Sequence, residues 1–462
     1  MSAALKIYHR LPPSARNAVA SVRGYYLNWW RYGARSEALV EEALERDSWN
    51  DEQWRSWQEE RLEFVLQRAA TRVPYYRRLW EERRRRGDKS SWSQLENWPI
   101  LEKKDLRSDP MSFVADDRSP SRMFQDHTSG TTGSSLDLWL SGDTVKQWYA
   151  LFEARARRWY GLSRQDRWAI FGGQLVTPVS QEDPPYWVWN SGMNQLYMSS
   201  YHISQDSAKA FVKALSDYKI KYLLGYTSAI YSLARSWRSI SSKDLELKTV
   251  ITNAEPVYDH QREAIAEAFG CEVRETYGMA EIVAAASECG HGTLHQWPEA
   301  GLIEENEYVD GESYEFICTG LLNADMPLVR YRVGDSGRLS KRECGCGRNL
   351  PVIETIEGRS DDVLLTRDGR RVGRMDPVFK GGLGIQEAQI IQESLEKVRV
   401  KFVPDQGATR VEAGALIGRI RERMDDIEVE LEEVESIPRT ERGKFRAVIC
   451  NLSEEERSQA GV

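Results

Sequence analysis

The chain has 462 residues, and at roughly 150 residues per domain it should fold into two or three domains, which excludes a single small binding module. Lys and Arg total 63 against 71 Asp and Glu, a net charge of −8, so the protein as a whole has no electrostatic attraction to nucleic acid. Hydrophobic residues at 41% and charged residues at 29% describe a globular chain with a large core, and no stretch approaches the ~20 apolar residues of a membrane-spanning helix.

In chain order, residues 1–36 hold Lys6, Arg10, Arg16, Arg23, Arg31 and Arg35 with no acid before Glu37, interleaved with Tyr25, Tyr26, Trp29 and Trp30. Basic residues with interfacial aromatics suit peripheral contact with anionic lipid, while the plainer reading is a helix folded onto the body. His9, Arg10, Pro12 and Pro13 interrupt any signal-peptide-like apolar run. From Glu37 to Trp98 the apolar spacing is helical, with a stop at Pro74 and a solvated helix end at Arg83, Arg84, Arg85 and Arg86. After residue 110 short strand-like runs (DLWLSG, RWAIFGG, KYLLGY, LKTVITNAE) alternate with helical patterns (DSAKAFVKALSDY, DHQREAIAEAFG), which predicts an α/β body with a substantially parallel sheet. Beyond residue 360 the order strand, helix, strand, strand (EKVRVKFVPD, ALIGRIRERMDD, IEVELEEVES, GKFRAVICNL) predicts a separate small α+β unit. The expected domains are a helical extension over 1–95, a body over 96–359 and a C-terminal unit over 360–462. Six cysteines are too sparse for a secreted disulfide framework, so the expected location is the cytoplasm, peripheral to the inner membrane face if the N-terminus touches lipid.

The segment Thr128-Ser129-Gly130-Thr131-Thr132-Gly133 combines glycines that permit tight turns with hydroxyls and free amides that can surround phosphate oxygens. It is not a Walker loop, because the G-x-x-x-x-G-K-[ST] lysine is absent. Tyr277-Gly278-Met279-Ala280-Glu281 offers a ring, a turn and a carboxylate able to hold magnesium beside phosphates. Asp335 closes a segment, Met326 to Asp335, and suits chelation of two ribose hydroxyls. Glu357-Gly358-Arg359-Ser360-Asp361-Asp362 marks the passage to the small unit, where Lys444 follows Gly443.

These pieces, in this order, resemble the adenylate-forming superfamily, and more narrowly its phenylacetate-CoA ligase and CapK-like branch, the latter associated with capsule and exopolysaccharide synthesis. Val73-Pro74-Tyr75-Tyr76, the segment from Trp98 to Lys103 and Gly225-Tyr226-Thr227-Ser228-Ala229 extend the likeness over nearly the whole chain. The resemblance implies a large body with β-sheets and helices that holds ATP, closed by a small mobile α+β lid. It implies that Thr128 to Gly133 wrap the β- and γ-phosphates, that Asn253-Ala254-Glu255-Pro256 lies along adenine and that Tyr277 stacks on the base. Glu281 would bind Mg2+, Asp335 and Arg359 the ribose, Asp361 would be the hinge, and Lys444 would bridge the carboxylate and the α-phosphate. The implied reaction is activation of a carboxylic acid as acyl-AMP with release of pyrophosphate, then acyl transfer. Coenzyme A is the commonest acceptor in the family, and a sugar or amine is the CapK-like alternative. A non-catalytic nucleotide-binding subunit of a polysaccharide pathway is the other alternative. Two positions depart from the pattern: Ala280 stands where a hydroxyl residue often touches the α-phosphate, and Ser134-Ser135-Leu136-Asp137 follows the loop where many relatives have a lysine. Phe171, Gly172, Gly173, Tyr226, Ala254 and the run Tyr186-Trp187-Val188-Trp189 are candidates for the acid pocket.

Cys289, His295, Cys344 and Cys346 form a second constellation, three thiolates and one imidazole that would close a structural tetrahedral zinc shell. Members of the same branch resemble it. His291 is the competing imidazole, and free buried cysteines with His295 in the substrate wall are the alternative. Cys271, Cys318 and Cys450 are expected in the core.

Overall fold

The computed structural model describes residues 3–128, 136–237, 245–310, 313–340, 342–359, 364–367, 371–372, 375, 378, 384–404, 413–424, 426–439 and 445–459. The helical spacing after residue 36 becomes three helices, Ser36–Arg46, Asp51–Arg72 and Pro74–Arg85. Asn50 starts the second through a reciprocal cap: its side chain accepts from the Gln53 N–H at 2.9 Å, and the Gln53 side chain accepts from the Asn50 N–H at 3.0 Å. Pro74 ends that helix and takes the first position of the next, where its missing N–H leaves no bond unmade. Val65, Leu66, Ala69, Tyr76 and Trp80 on these helices pack with Trp98, Phe113, Met326 and Tyr331 in one core. Of the arginine run, Arg85 and Arg86 are solvated, but Arg83 is not. Its guanidinium lies 4.3 Å over the Trp80 ring and donates to Asp88 and to the Asn97 carbonyl, because the chain turns back at Gly87.

Among the described residues, twelve strands form one mixed sheet. Five are parallel neighbours, in the order Glu272–Gly278, Thr249–Asn253, Tyr222–Tyr226, Trp168–Gly172 and Gln195–Ser199, with helices Gln205–Asp217, Thr227–Trp237 and Asp259–Phe269 in the connections. The expected parallel character stops there. From Ala285 to Arg359 strands follow one another with no intervening helix, and such connections join neighbours antiparallel.

Trp187–Asn190 is the far edge strand. The aromatic run expected in the acid pocket therefore packs elsewhere: Tyr186 stacks on His202 and Phe211, and Trp189 on Tyr218. Helix α1 (Ala3–His9) leads into α2 (Pro13–Arg31), which lies along this edge. The Trp189 N–H donates to Asn17 Oδ1 at 2.9 Å and the Ser191 N–H to Ser21 Oγ at 3.0 Å. A Cβ on Gly192 would sit 2.4 Å from the Tyr25 nitrogen, so only glycine allows this approach.

At the C-terminal end, strands Glu428–Glu433, Lys397–Pro404, Ile385–Gln392 and Val448–Cys450 form a four-stranded sheet, covered by helix Ala413–Met424 around a core of Ile390, Val398, Val400, Leu416 and Ile420. Cys318 is buried in the first core, whereas Cys271 and Cys450 are half-buried at the margins of theirs. No helix among the described residues is long and apolar enough to cross a membrane.

Helix Gly142–Ala156 is held by a buried arginine. Arg155 donates through Nε to Asp47 Oδ1 at 2.9 Å and through Nη1 and Nη2 to Glu299 at 2.6 and 3.0 Å. Removing one partner of such a cluster strands the others without water. Arg155→Met should lower the unfolding free energy by about 3–5 kcal/mol in urea titrations, and adding Asp47→Asn with Glu299→Gln should recover part of the loss.

Candidate active site

The C-terminal ends of Tyr222–Tyr226, Thr249–Asn253 and Glu272–Gly278 lie side by side, with Tyr226 paired to Asn253 and Thr252 to Glu275. Ligands of open α/β sheets bind in the crevice outside such ends. Gly225 has φ +152°, and a Cβ there would lie 2.2 Å from the Phe171 carbonyl oxygen. Beyond Asn253 the chain turns through Ala254 at φ +62°, a conformation of order 1 kcal/mol uphill for a residue with a Cβ. Glu255 holds that turn in place. Its carboxylate accepts from the Ser228 N–H at 2.8 Å and the Ser228 hydroxyl at 3.1 Å, at the start of helix Thr227–Trp237, where a negative charge meets free N–H groups. The Phe445 N–H is its third donor at 2.8 Å, so the same carboxylate touches the C-terminal segment. Burial raises the proton affinity of Glu255, and these three bonds work against that. Pro256 follows and is exposed. Asn253 Oδ1 is buried and finds no partner among the described residues, an acceptor left over at the strand end where adenine is expected.

Strand Glu272–Gly278 then carries Tyr277 toward strand Tyr331–Ser340, and the Tyr277 hydroxyl donates to Asp335 Oδ2 at 2.8 Å. Burial, followed by the charge of Asp335, keeps that hydroxyl protonated, so it remains the donor. After Gly278 the chain turns, with the Ile282 N–H on the Met279 carbonyl at 3.1 Å, and presents Glu281. Glu281 Oε1 accepts from the hydroxyl of buried Tyr331 at 3.1 Å. Asp335 is also the register partner of Arg359 across neighbouring strands. Residues expected to serve one nucleotide thus meet across a sheet, although 82 positions separate Tyr277 from Arg359.

Thr128 begins the candidate phosphate loop. Its N–H donates to the Leu136 carbonyl at 3.0 Å and its hydroxyl accepts from the Leu136 N–H at 2.9 Å, so the two ends of the loop are tied together. Ser129, Gly130, Thr131, Thr132 and Gly133, the hinge candidate Asp361 and the cation Lys444 lie outside the described residues, as does the side chain of Arg359. Phe171 is core, while Tyr226 and Ala254 stand at the crevice. Tyr331, Ser228 and the Phe445 N–H were not anticipated. Tyr331 lies in the segment from Met326 to Asp335 and Ser228 in the segment from Gly225 to Ala229, but neither segment points to a partner for Glu281 or Glu255, and a backbone N–H such as that of Phe445 has no sequence signal.

The four zinc-ligand candidates converge: one ligand atom from each of Cys289, His295, Cys344 and Cys346 lies within 4.8 Å of all the others. Cys289 Sγ to Cys344 Sγ is 3.7 Å and Cys346 Sγ to His295 Nε2 is 3.4 Å. Tetrahedral zinc with bonds of about 2.3 Å to sulfur and about 2.0 Å to nitrogen requires separations of about 3.8 and 3.5 Å, so the set fits. His295 Nδ1 lies 3.2 Å from the Leu350 carbonyl oxygen, which fixes the tautomer that offers Nε2 inward. His291 meets the cluster through its backbone N–H, 3.4 Å from Cys289 Sγ.

With this geometry in view, the likenesses to known proteins are coherent. Residues 364–451 match the family described as CapK C-terminal domain. Protein CapK of Staphylococcus aureus is 24% identical over 96% of this chain and 99% of its own length. Phenylacetate-coenzyme A ligase of Thermus thermophilus is 28% identical over 68% of this chain and 72% of its own, and that of Pseudomonas putida 25% over 88% of each. Among solved structures, 2-hydroxyisobutyryl-CoA ligase in the postadenylation state with R3-HIB-AMP superposes with a TM-score of 0.66 at 21% identity, covering 90% of this chain and 93% of that one.

Glu275, two residues before Tyr277, is pushed up to about 7 by burial and then by Glu288, with Arg262 opposing. A carboxyl whose folded value lies above the ordinary 4.5 binds extra protons in the native state, so its contribution to stability falls as pH rises from about 4.5 to about 7. Glu275→Gln should therefore melt above the parent at pH 8, by about 1–2 kcal/mol in stability, with the gap closing toward pH 4.5.

Proposed function

We propose that this chain, which is similar to CapK and to the phenylacetate-coenzyme A ligases and shares the fold of 2-hydroxyisobutyryl-CoA ligase, is an AMP-forming acid ligase that joins a carboxylic acid to AMP and passes the acyl group to coenzyme A. The observation that carries this reading is the meeting of Tyr277, Glu281 and Asp335 at the ends of the parallel strands. Tyr277 occupies one oxygen of Asp335, and the carboxylate can still accept from a ribose hydroxyl. Asn253 Oδ1 supplies an acceptor for an exocyclic amine of the base. Tyr331 fixes one oxygen of Glu281, whose carboxylate would hold a magnesium ion, and that ion would neutralise phosphate charge.

In the first half-reaction a carboxylate oxygen bonds to the α-phosphorus as the bridging oxygen leaves with pyrophosphate. That centre gains negative charge and needs positioned cations and donors rather than a covalent nucleophile. Lys444 is the residue we assign to this charge, with Thr128 to Gly133 holding the leaving phosphates and Arg359 the ribose. In the second half-reaction a thiol sulfur takes the acyl carbon, AMP leaves and the thiol proton is released. The unit beginning near residue 360 is the lid in this scheme and Asp361 its hinge. Glu255 is one contact of the body with that unit, through Phe445.

Pyrophosphate release measured over aryl, fatty, amino and sugar acids should identify one productive acid class. Lys444→Ala should lower its rate by about 100- to 1,000-fold. Coenzyme A should then give a thioester and AMP. AMP release that depends on an amine or sugar instead would replace the acceptor, and failure of every acid while ATP binds would leave a binding subunit.

Zinc in the Cys289, His295, Cys344 and Cys346 shell is proposed as structural, because all four positions are protein ligands and none is left for substrate. Metal analysis of the purified protein should find stoichiometric zinc. Cys346→Ser should lose it and melt lower, since metal binding energy is folding energy. A zinc-free parent with unchanged melting in chelator would overturn the assignment.

A further inference from the structure

Helix α2 is amphipathic in the wrong sense for a helix folded on a soluble body. Asn17, Ser21 and Gly24, spaced as one helical face, point inward against the edge strand, where Asn17 and Ser21 bond Trp189 and Ser191. The inward face is polar because it must satisfy backbone groups that a sheet edge leaves open. The opposite face carries Val19, Val22, Tyr26 and Trp29 at spacings of three and four, with Tyr25 beside them. Exposure is 71% at Val22, 69% at Trp29, 60% at Tyr25 and 54% at Tyr26. Helix α1 adds Ile7, which is exposed, and is pinned by the His9 ring, 2.8 Å from the Leu175 carbonyl oxygen. The loop after that anchor adds exposed Val179.

Charge selects the occupant. Lys6 on α1, Arg10 in the turn that follows it and Arg23 on α2 are exposed, and residues 1–36 carry six cations and no acid, while the other 426 residues carry −14 for the total of −8. Apolar and Tyr/Trp side chains bordered by cations match the boundary between acyl chains and anionic headgroups. We propose that α1 and α2 form a docking surface for an anionic lipid bilayer, with α2 lying in the plane of the interface while still sealing the sheet edge. The surface is separate from the nucleotide crevice, and its test does not depend on the reaction.

The full-length protein is sedimented with vesicles of phosphatidylcholine alone and of phosphatidylcholine mixed with phosphatidylglycerol. Binding should be at least tenfold stronger to the anionic vesicles and should fall as salt is added. Lys6→Gln, Arg10→Gln and Arg23→Gln together should weaken it about a hundredfold. Val22→Ser, Tyr26→Ser and Trp29→Ser together should weaken it at least tenfold with little change in melting temperature, because these side chains are more than half exposed, although Tyr26 and Trp29 meet the packed Trp30 edge on. If that variant melts early, the charge variant alone decides. A parent that stays in the supernatant, or a charge variant that sediments as the parent does, overturns the proposal. So does a lipid-independent dimer that the Val22, Tyr26 and Trp29 substitutions dissolve, which would give the face to a second copy.

Discussion

Arg155 is fully buried and is held by two carboxylates on different edges of its guanidinium, Asp47 at the end of one helix and Glu299 in a loop between strands. Burial opposes its charge, but the two acids outweigh that and raise its proton affinity, so the cation persists where water cannot reach. Asp47 also accepts from the Trp159 indole at 2.7 Å, and its carbonyl oxygen accepts from the Asn349 N–H at 2.9 Å. Trp159 in turn carries Arg348 over its face at 4.2 Å and meets the His295 ring at 6.1 Å, edge on. One guanidinium thus fixes the helical extension, the antiparallel half of the sheet and the loop bearing Cys344 and Cys346 relative to one another.

The crevice depends on that frame because its residues come from both halves of the sheet. Asn253 and Glu255 belong to the parallel half, Asp335 and Tyr331 to the antiparallel half, and Tyr277 sits on the strand where the two meet. The left-handed turn at Ala254 and the close approach at Gly225 that only glycine allows gather at the same strand ends. A local change of sheet character is therefore also the place where a nucleotide would span two sets of ligands.

The elements were legible because their signals are local. Short continuous apolar runs such as KYLLGY and period-3.6 runs such as DHQREAIAEAFG became the expected strand and helix, and Pro74 divided two helices as proline must. The grouping of Cys289, Cys344 and Cys346 with a histidine was legible as a candidate cluster, but only folding separated His295 from His291, by bringing its Nε2 among the sulfurs and giving its other nitrogen a carbonyl partner. What stayed hidden depends on distant partners. Nothing near Glu255 announces Ser228 or Phe445, and nothing in the aromatic run 186–189 distinguishes an edge strand from a pocket wall. The basic and aromatic character of residues 13–31 was visible, but the polar inward face has meaning only beside the edge strand it caps.

That cap has a geometric consequence. The strand ending at Asn253 is four positions in from the edge strand, roughly 19 Å at ordinary strand spacing, with a helix roughly 10 Å thick outside it. Because α2 cannot leave the edge without uncovering backbone groups, a bilayer held against it would stand roughly 30 Å from the crevice, with the strands running along the membrane rather than into it. A headgroup in the bilayer would be too far away to serve as acceptor in place. Any acyl acceptor would have to cross that gap on a carrier of its own.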